Sequence, residues 1–411
     1  MVLPEGWKRL PLETVAQVRS GVAKGKSGLK DPITVPYLRV ANVQDGRVVL
    51  NEVKDIQIER QQLERYSLQH GDVLMNEGGD YDKLGRGDVW QEQIKPCLHQ
   101  NHVFAVRPNS ELLDSFFLAA LAASNYGKTY FLGCAKRSTN LASINSTQIK
   151  EFPVLLPPLP EQKKIAQILS TWNQAITATE RLLENSQQRK KGLMQQLLTG
   201  KKRLPGFEGE WEEVKVGTVL SVRKDKQIPS EDAPLYSLTI ESGITEKTDR
   251  YNREFLVKDA KEKQYKKVLP KDIVYNPANL RWGAINYSRL SHTVVVSPIY
   301  EVLYVTEPEK HCLEFLAQSL MRPDQINRFA SMVEGTLMER MAVKIGPFLA
   351  TRLRVPPSVA EEQAIATILS AADSEIIALN KRLRGLEQEK KALMQQLLTG
   401  KRRVQVDTEA A

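Results

Sequence analysis

Cysteine is scarce in this chain, and the three present, Cys97, Cys134 and Cys312, form no CxxC pair and no even framework. That excludes a disulfide-built scaffold and fits a reducing, cytoplasmic setting. Long apolar runs are missing too. No window approaches 18 continuous apolar residues, so no transmembrane helix is expected. Met1–Lys8 lacks the apolar core of a signal peptide. Histidine is rare, with five in 411 residues. The one local constellation, Cys97, His99 and His102, has a CxHxxH spacing that matches no structural zinc pattern, so no metal is expected.

What the chain has in excess is positive charge, +9 with a pI of about 9.2. Lys and Arg near phosphates release counterions, so the balance suits a polyanion partner, although a mildly basic soluble protein reads the same way.

It also has a repeat. LMQQLLTGK occurs at Leu193–Lys201 and again at Leu393–Lys401. At the same offset of 200, Ile165–Arg203 aligns without a gap to Ile365–Arg403, and 21 of those 39 positions are identical. Upstream the match fades: GDVLMN at Gly71–Asn76 answers KDIVYN at Lys271–Asn276, with lysine in place of glycine. Solenoid units are about 20–50 residues long, so this is a duplication of whole domains. Each half is a variable region of roughly 150 residues, within ordinary domain size, followed by a constant helix.

The variable regions mix short β-rich runs with turns. Pro36–Val43 and Arg47–Val53 alternate like strands around an Asp45-Gly46 turn. Asp72–Met75 and Val103–Val106 read as strands, and Leu112–Ser124 as a helix. The constant segments read as helices over Glu161–Thr199 and Glu361–Thr399. Their apolar residues recur at 4-3 spacing and include Ile165, Leu169, Trp172, Ile176 and Leu183, then Ile365, Leu369, Ile376 and Leu383. Such heptads predict a coiled coil, and the other copy is the obvious partner. Gly200 and Gly400 stand where a C′ glycine ends a helix.

PPLPEQKKIAQILS with KKGLMQQLLTGKKRLPGF, and their echo PPSVAEEQAIATILS with KKALMQQLLTGKRR, resemble the conserved regions of the specificity subunit of type I restriction-modification systems. The resemblance implies an α+β fold: two duplicated target recognition domains separated by two long antiparallel coiled-coil helices, with pseudo-twofold symmetry. The expected boundaries are 1–155 and 204–355 for the recognition domains, 156–203 and 356–403 for the spacer helices, and a tail at 404–411. It implies a partner set of double-stranded DNA, two methyltransferase subunits and motor nuclease subunits. S-adenosylmethionine, ATP and Mg would belong to those partners, with no cofactor and no catalysis in this chain.

On that reading the candidate DNA contacts lie in loops. Asn and Arg read adenine and guanine bidentately, and Lys and Arg hold phosphate. One basic loop carries Lys24, Lys26 and Lys30, and Lys224 and Lys226 serve the second copy. Asn76, Tyr81, Lys83 and Arg86 align with the cluster Asn276, Asn279, Arg281, Trp282 and Tyr287, for which a structural turn with a core tryptophan is the alternative. His99 and Asn101 are loop candidates. Arg137, Ser138, Asn140, Thr336 and Arg340 precede the helices. Gln195, Gln196, Gln395 and Gln396 are identical between copies and suit docking of two identical partners, or a solvated face.

Two other classes stay open. Gly21–Ser27 (GVAKGKS) approaches a phosphate-binding loop but is one residue short between its glycines, leaving a nucleotide-dependent enzyme as a reading. Tyr275–Asn279 (YNPAN) lacks the second proline and aromatic of an adenine-methyltransferase motif, so methyl transfer is rejected. A coiled-coil scaffold without DNA is the third reading.

Overall fold

The computed structural model describes the chain except residues 1–2, 25–27, 80–83, 86, 138–141, 241–242, 247–263, 335–340 and 407–411. It resolves into two compact units that cut across chain order. One is Met1–Arg181 with Lys381–Ala411; the other is Leu182–Asn380. The two long helices, Leu159–Leu197 and Val359–Leu397, are each 39 residues and contribute a segment to both units. Among the described residues no helix is long and apolar enough to cross a membrane.

In the first unit the chain enters on strand Lys8–Pro11 and leaves on Pro153–Leu156, and these two pair antiparallel. A three-stranded antiparallel sheet carries Val103–Pro108 between Ala16–Ser20 and Val73–Asn76. A second sheet sets Pro32–Leu38 between Lys54–Glu59 and Leu98–His99. The expected strand Pro36–Val43 is broken. Asn42 accepts from Arg39 N and donates to Val49 O and Glu52 O, which bends Val40–Asn42 into a 3-10 turn. The Asp45-Gly46 turn holds, with Gly46 at φ 69 between Val43–Gln44 and Arg47–Val48. The expected helix is present as Ser115–Ala123, capped by Asp114 accepting from Phe117 N.

The second unit repeats the plan. Glu212–Lys215 pairs with Arg352–Val355 where the chain enters and leaves. Its main sheet runs Leu220–Val222, Glu301–Val305, Ile273–Tyr275, Ile285–Tyr287. Divergence has been absorbed in the core. Asp72 is buried and paired with Arg107 at 2.7 Å. Its counterpart Asp272 is equally buried but takes Arg223, at 2.6 Å, from just past the end of strand Leu220–Val222. Lys271 keeps the left-handed φ, 70, that Gly71 holds at 89.

Within each unit the helix segments run antiparallel and share one core with the variable region. Ile165, Leu169, Leu397 and Leu398 join Trp7, Phe117 and Phe152 in the first. Ile365, Leu369, Leu197 and Leu198 join Trp211, Phe315 and Phe348 in the second. Trp172, Ile176, Leu183, Ile376 and Leu383 are only half-buried. The pairing positions therefore also serve as core positions of the domains. Each helix ends on its glycine, Gly200 at φ 71 and Gly400 at φ 73. A Cβ on Gly200 would meet the Trp211 ring at 3.0 Å.

The third residue of each basic run is an ion-pair partner. Arg203 makes a bidentate contact to buried Glu361 at 2.6 and 2.7 Å. Arg403 does the same to buried Glu161 at 2.9 and 2.7 Å, and Trp7 Nε1 donates to that carboxylate. Arg203→Ala leaves a buried carboxylate unpaired and should cost about 3 kcal/mol, whereas Arg203→Ala with Glu361→Gln should recover most of it, as read by urea unfolding. Lys271→Gly should stabilise the second unit by about 0.5–1 kcal/mol by relieving a side chain from the left-handed region, visible as a raised melting temperature.

Candidate nucleic-acid interface

Two candidate loops of the variable region meet at the same junction in both units. In the first unit Ile144 N donates to Glu77 O at 2.8 Å. Strand Ala142–Ser143 lies between Gly78–Gly79 and Lys136–Arg137, bringing the loop after Asn76 beside the one that carries Arg137. In the second unit Val343 N donates to Pro277 O at 3.0 Å. There the turn after Tyr275 sits beside the segment that follows Thr336 and Arg340.

That turn is rigid. Asn279 N donates to Asn276 O, Trp282 N to Asn279 O and Asn276 N to Ala284 O. Gly283 closes it at φ 92, a conformation other residues rarely adopt. Leu280 and Tyr275 anchor it in the core, with Tyr275 stacked on Phe348 at 4.4 Å between centroids. Trp282 is 59% exposed, so it is not the core tryptophan of the alternative reading. The Arg281 guanidinium lies 4.1 Å from its ring centroid, and Nη1 donates to Met341 Sδ at 3.4 Å. Asn279 is half-buried.

Four candidates prove to be scaffold. Asn76 is fully buried and donates through Nδ2 to Val43 O at 2.8 Å. Asn276 is buried and accepts from Ala278 N, shaping the turn. His99 is buried and donates through Nδ1 to Val103 O at 2.6 Å, and burial holds its pKa down to about 4, so the ring stays neutral. Tyr287 is buried in the core, where its hydroxyl accepts from Arg289 Nε at 3.0 Å. Arg289, which stacks on that ring at 4.3 Å and is exposed, is a candidate the sequence reading passed over. The Tyr-x-Arg spacing on a strand end was its only signal.

Lys24, Lys30, Lys224 and Lys226 are exposed, and Lys24 Nζ lies 5.8 Å from the Tyr37 ring. Asn101 is half-buried beside His102, which pairs with Glu77. Arg137 lies in a strand. Lys26, Tyr81, Lys83, Arg86, Ser138, Asn140, Thr336 and Arg340 fall outside the described residues. Gln195, Gln196, Gln395 and Gln396 are all exposed on the helices.

Two further constellations of the sequence lie in the first unit. A phosphate-binding loop passes from a strand into a helix. Of GVAKGKS, Gly25, Lys26 and Ser27 fall outside the described residues; the flanking elements are strands Ala16–Ser20 and Pro32–Leu38. Cys97 is buried, its thiol pushed up to about 12 by desolvation. Among the described residues no cluster of three His, Cys, Asp or Glu could hold a metal.

Comparison with known proteins agrees with this architecture. Residues 4–185 match the family model of the type I restriction modification DNA specificity domain. The chain is 26% identical to the putative type I restriction enzyme MjaX specificity subunit of Methanocaldococcus jannaschii, over 98% of this chain and 95% of that protein. The MjaVIII specificity subunit of the same organism is 26% identical over 90% of this chain and 86% of its own. The crystal structure of the type I restriction-modification S subunit from M. genitalium has the same fold, with a TM-score of 0.59 at 13% identity, covering 97% of this chain and 98% of that one. The fold is that of the solved S subunit, two variable units joined by long helices. Over nearly its whole length the chain is similar to type I restriction-modification specificity subunits, and residues 4–185 match the DNA specificity domain of that family.

Asn76→Ala strips Val43 O of its donor and should cost about 1–2 kcal/mol of stability. DNA affinity of the folded protein should stay within twofold of wild type in a titration, since Asn76 is fully buried and its amide is taken up by Val43 O.

Proposed function

We propose that this chain reads a bipartite, asymmetric DNA site, each unit taking one half. The observation that carries this is the repeated loop junction. The same backbone hydrogen bond joins the same two loops in both units, and the sequences of those loops differ. One frame presenting two different readers suits a split site with unlike halves. Lys24, Lys30, Lys224, Lys226 and Arg289 supply phosphate contacts, which position the protein, and loop side chains read base edges.

The long helices act as the spacer. Thirty-nine residues at about 1.5 Å each give about 58 Å of rod. Half-sites one helical turn apart lie about 34–36 Å centre to centre, so such a rod spans a turn or somewhat more. Two methyltransferase subunits dock on the helix faces that carry Gln195, Gln196, Gln395 and Gln396, exposed and identical in both copies. Motor nuclease subunits complete the assembly for restriction. Methyl transfer with S-adenosylmethionine, and ATP- and Mg-dependent steps, fall to those partners in the cytoplasm.

The purified chain with its methyltransferase should select one split motif from a randomised duplex library. Lengthening the gap between the halves by two base pairs should abolish binding in a gel-shift assay. Equal affinity for the lengthened site would overturn the spacer role.

A further inference from the structure

Of the five tryptophans, Trp7, Trp90 and Trp211 are buried and Trp172 is half-buried, while Trp282 stands 59% exposed. An indole held in water on a rigid turn forgoes a large burial gain. With Asn276 and Tyr287 committed to the scaffold, Arg281 and Trp282 are the two long side chains of this turn available to a ligand. Arg281 makes no ion pair among the described residues. Its Nη1 has only a thioether, a weak acceptor, and its Nε is buried without a partner.

The chemistry of duplex DNA narrows what this pair can recognise. The major groove presents base edges, and of the four bases only thymine shows an apolar group there, its C5 methyl. Guanine shows two acceptors, O6 and N7, that fit a guanidinium fork. The guanidinium lies 4.1 Å from the indole centroid, close to the roughly 3.4 Å rise between successive base pairs along one strand. Resting on the reading of this chain as a DNA reader, we infer that Arg281 and Trp282 act as one unit on two adjacent base pairs of a half-site. The guanidinium takes a guanine, and the indole packs on the methyl of a neighbouring thymine.

Replacing thymine by uracil removes that methyl and nothing else, which makes the inference directly testable. The complex of the full chain with its methyltransferase is used to select a duplex from a randomised library. Each thymine of the selected motif is then replaced in turn by uracil. One replacement, next to a guanine, should weaken wild-type binding by about 4-fold, the worth of one buried methyl. The same replacement should be neutral for Trp282→Ala. Arg281→Ala should lose at least about 5-fold discrimination at the adjacent guanine. Trp282 is exposed, so Trp282→Ala should unfold like wild type, which separates recognition from folding. A motif that is selected yet indifferent to every uracil would overturn the inference while leaving the DNA-reading role intact. A rise in 2-aminopurine fluorescence at the contacted step would overturn it too, because it reports a base drawn out of the stack, whereas contact with base edges leaves both base pairs stacked. Selection of no motif at all would overturn both readings.

Discussion

The glutamate in the first turn of each long helix is buried, and a buried carboxylate must find a cation and hydrogen bonds. Glu161 finds Arg403 and Trp7; Glu361 finds Arg203. Each arginine lies just past the end of a long helix, so the obvious local partner of Glu161 would be Arg203. Helix geometry forbids it. Glu161 and Arg203 are separated by a 39-residue helix, which at about 1.5 Å per residue is about 58 Å long. Each glutamate is answered by the arginine that follows the other copy's helix, and within each unit that pair sets the end of one helix beside the start of the other. It also makes each compact unit a composite of sequence-distant halves. The identical end of the repeat, LMQQLLTGK with its arginine two residues on, is thereby accounted for. Leu197, Leu198 and Gly200 pack on one variable region, Leu397, Leu398 and Gly400 on the other.

The variable regions have diverged under a milder version of the same rule. What persists is the buried acid, and what changes is the place in the chain its cation comes from. Asp72 uses Arg107; Asp272 uses Arg223, while Tyr304 takes the face of that guanidinium at 4.8 Å. Similarly, Gln162 accepts from Asp114 N at 2.9 Å, and the carboxylate of Glu362 accepts from Cys312 N at 2.5 Å. Both tie the long helix to the start of a shorter one. Surface loops can then vary widely, because the polar anchors beneath them need only some donor in the right place.

This explains which parts were legible in the sequence. A 3.5-residue apolar spacing sustained over many turns averages out local exceptions, so both long helices emerge within two residues of their observed ends. The Asp45-Gly46 turn was legible because its backbone needs a positive φ. The strand before it was not, because Asn42 diverts the backbone through bonds to residues 7 and 10 positions away. Polar candidates were the least legible. Asn76, Asn276 and His99 carry the groups a DNA reader needs, but those groups serve equally to satisfy a protein backbone. Residue type does not say whether the partner is a carbonyl or a base. Trp282 was ambiguous for the complementary reason, since an indole suits a core as well as a ligand.

The helices themselves are not interchangeable, although their ends are. In the second unit Lys190 pairs with Asp373 at 2.5 Å, Gln318 donates to the same carboxylate, and Ser186 bonds to Glu375. At the matching positions the first unit has Lys390, Asn173, Leu386 and Ala175, with Ala120 where the shorter helix of the second unit has Gln318. Without that carboxylate, Lys390 sits partly buried near Asp45 and Asp88, and desolvation lowers its pKa while raising that of Asp88. A cleft of about 620 Å³ remains there, lined by Ala119, Ala120, Ala123, Asn173 and Lys390. The same lysine is thus an ion-pair anchor in one unit and a half-desolvated wall in the other. Since burial energy depends on such pairs, exchanging the two central helix segments would strand Asp373 or Glu375 against groups that cannot answer them. The asymmetry that the variable regions display is therefore already built into the middle of the shared frame.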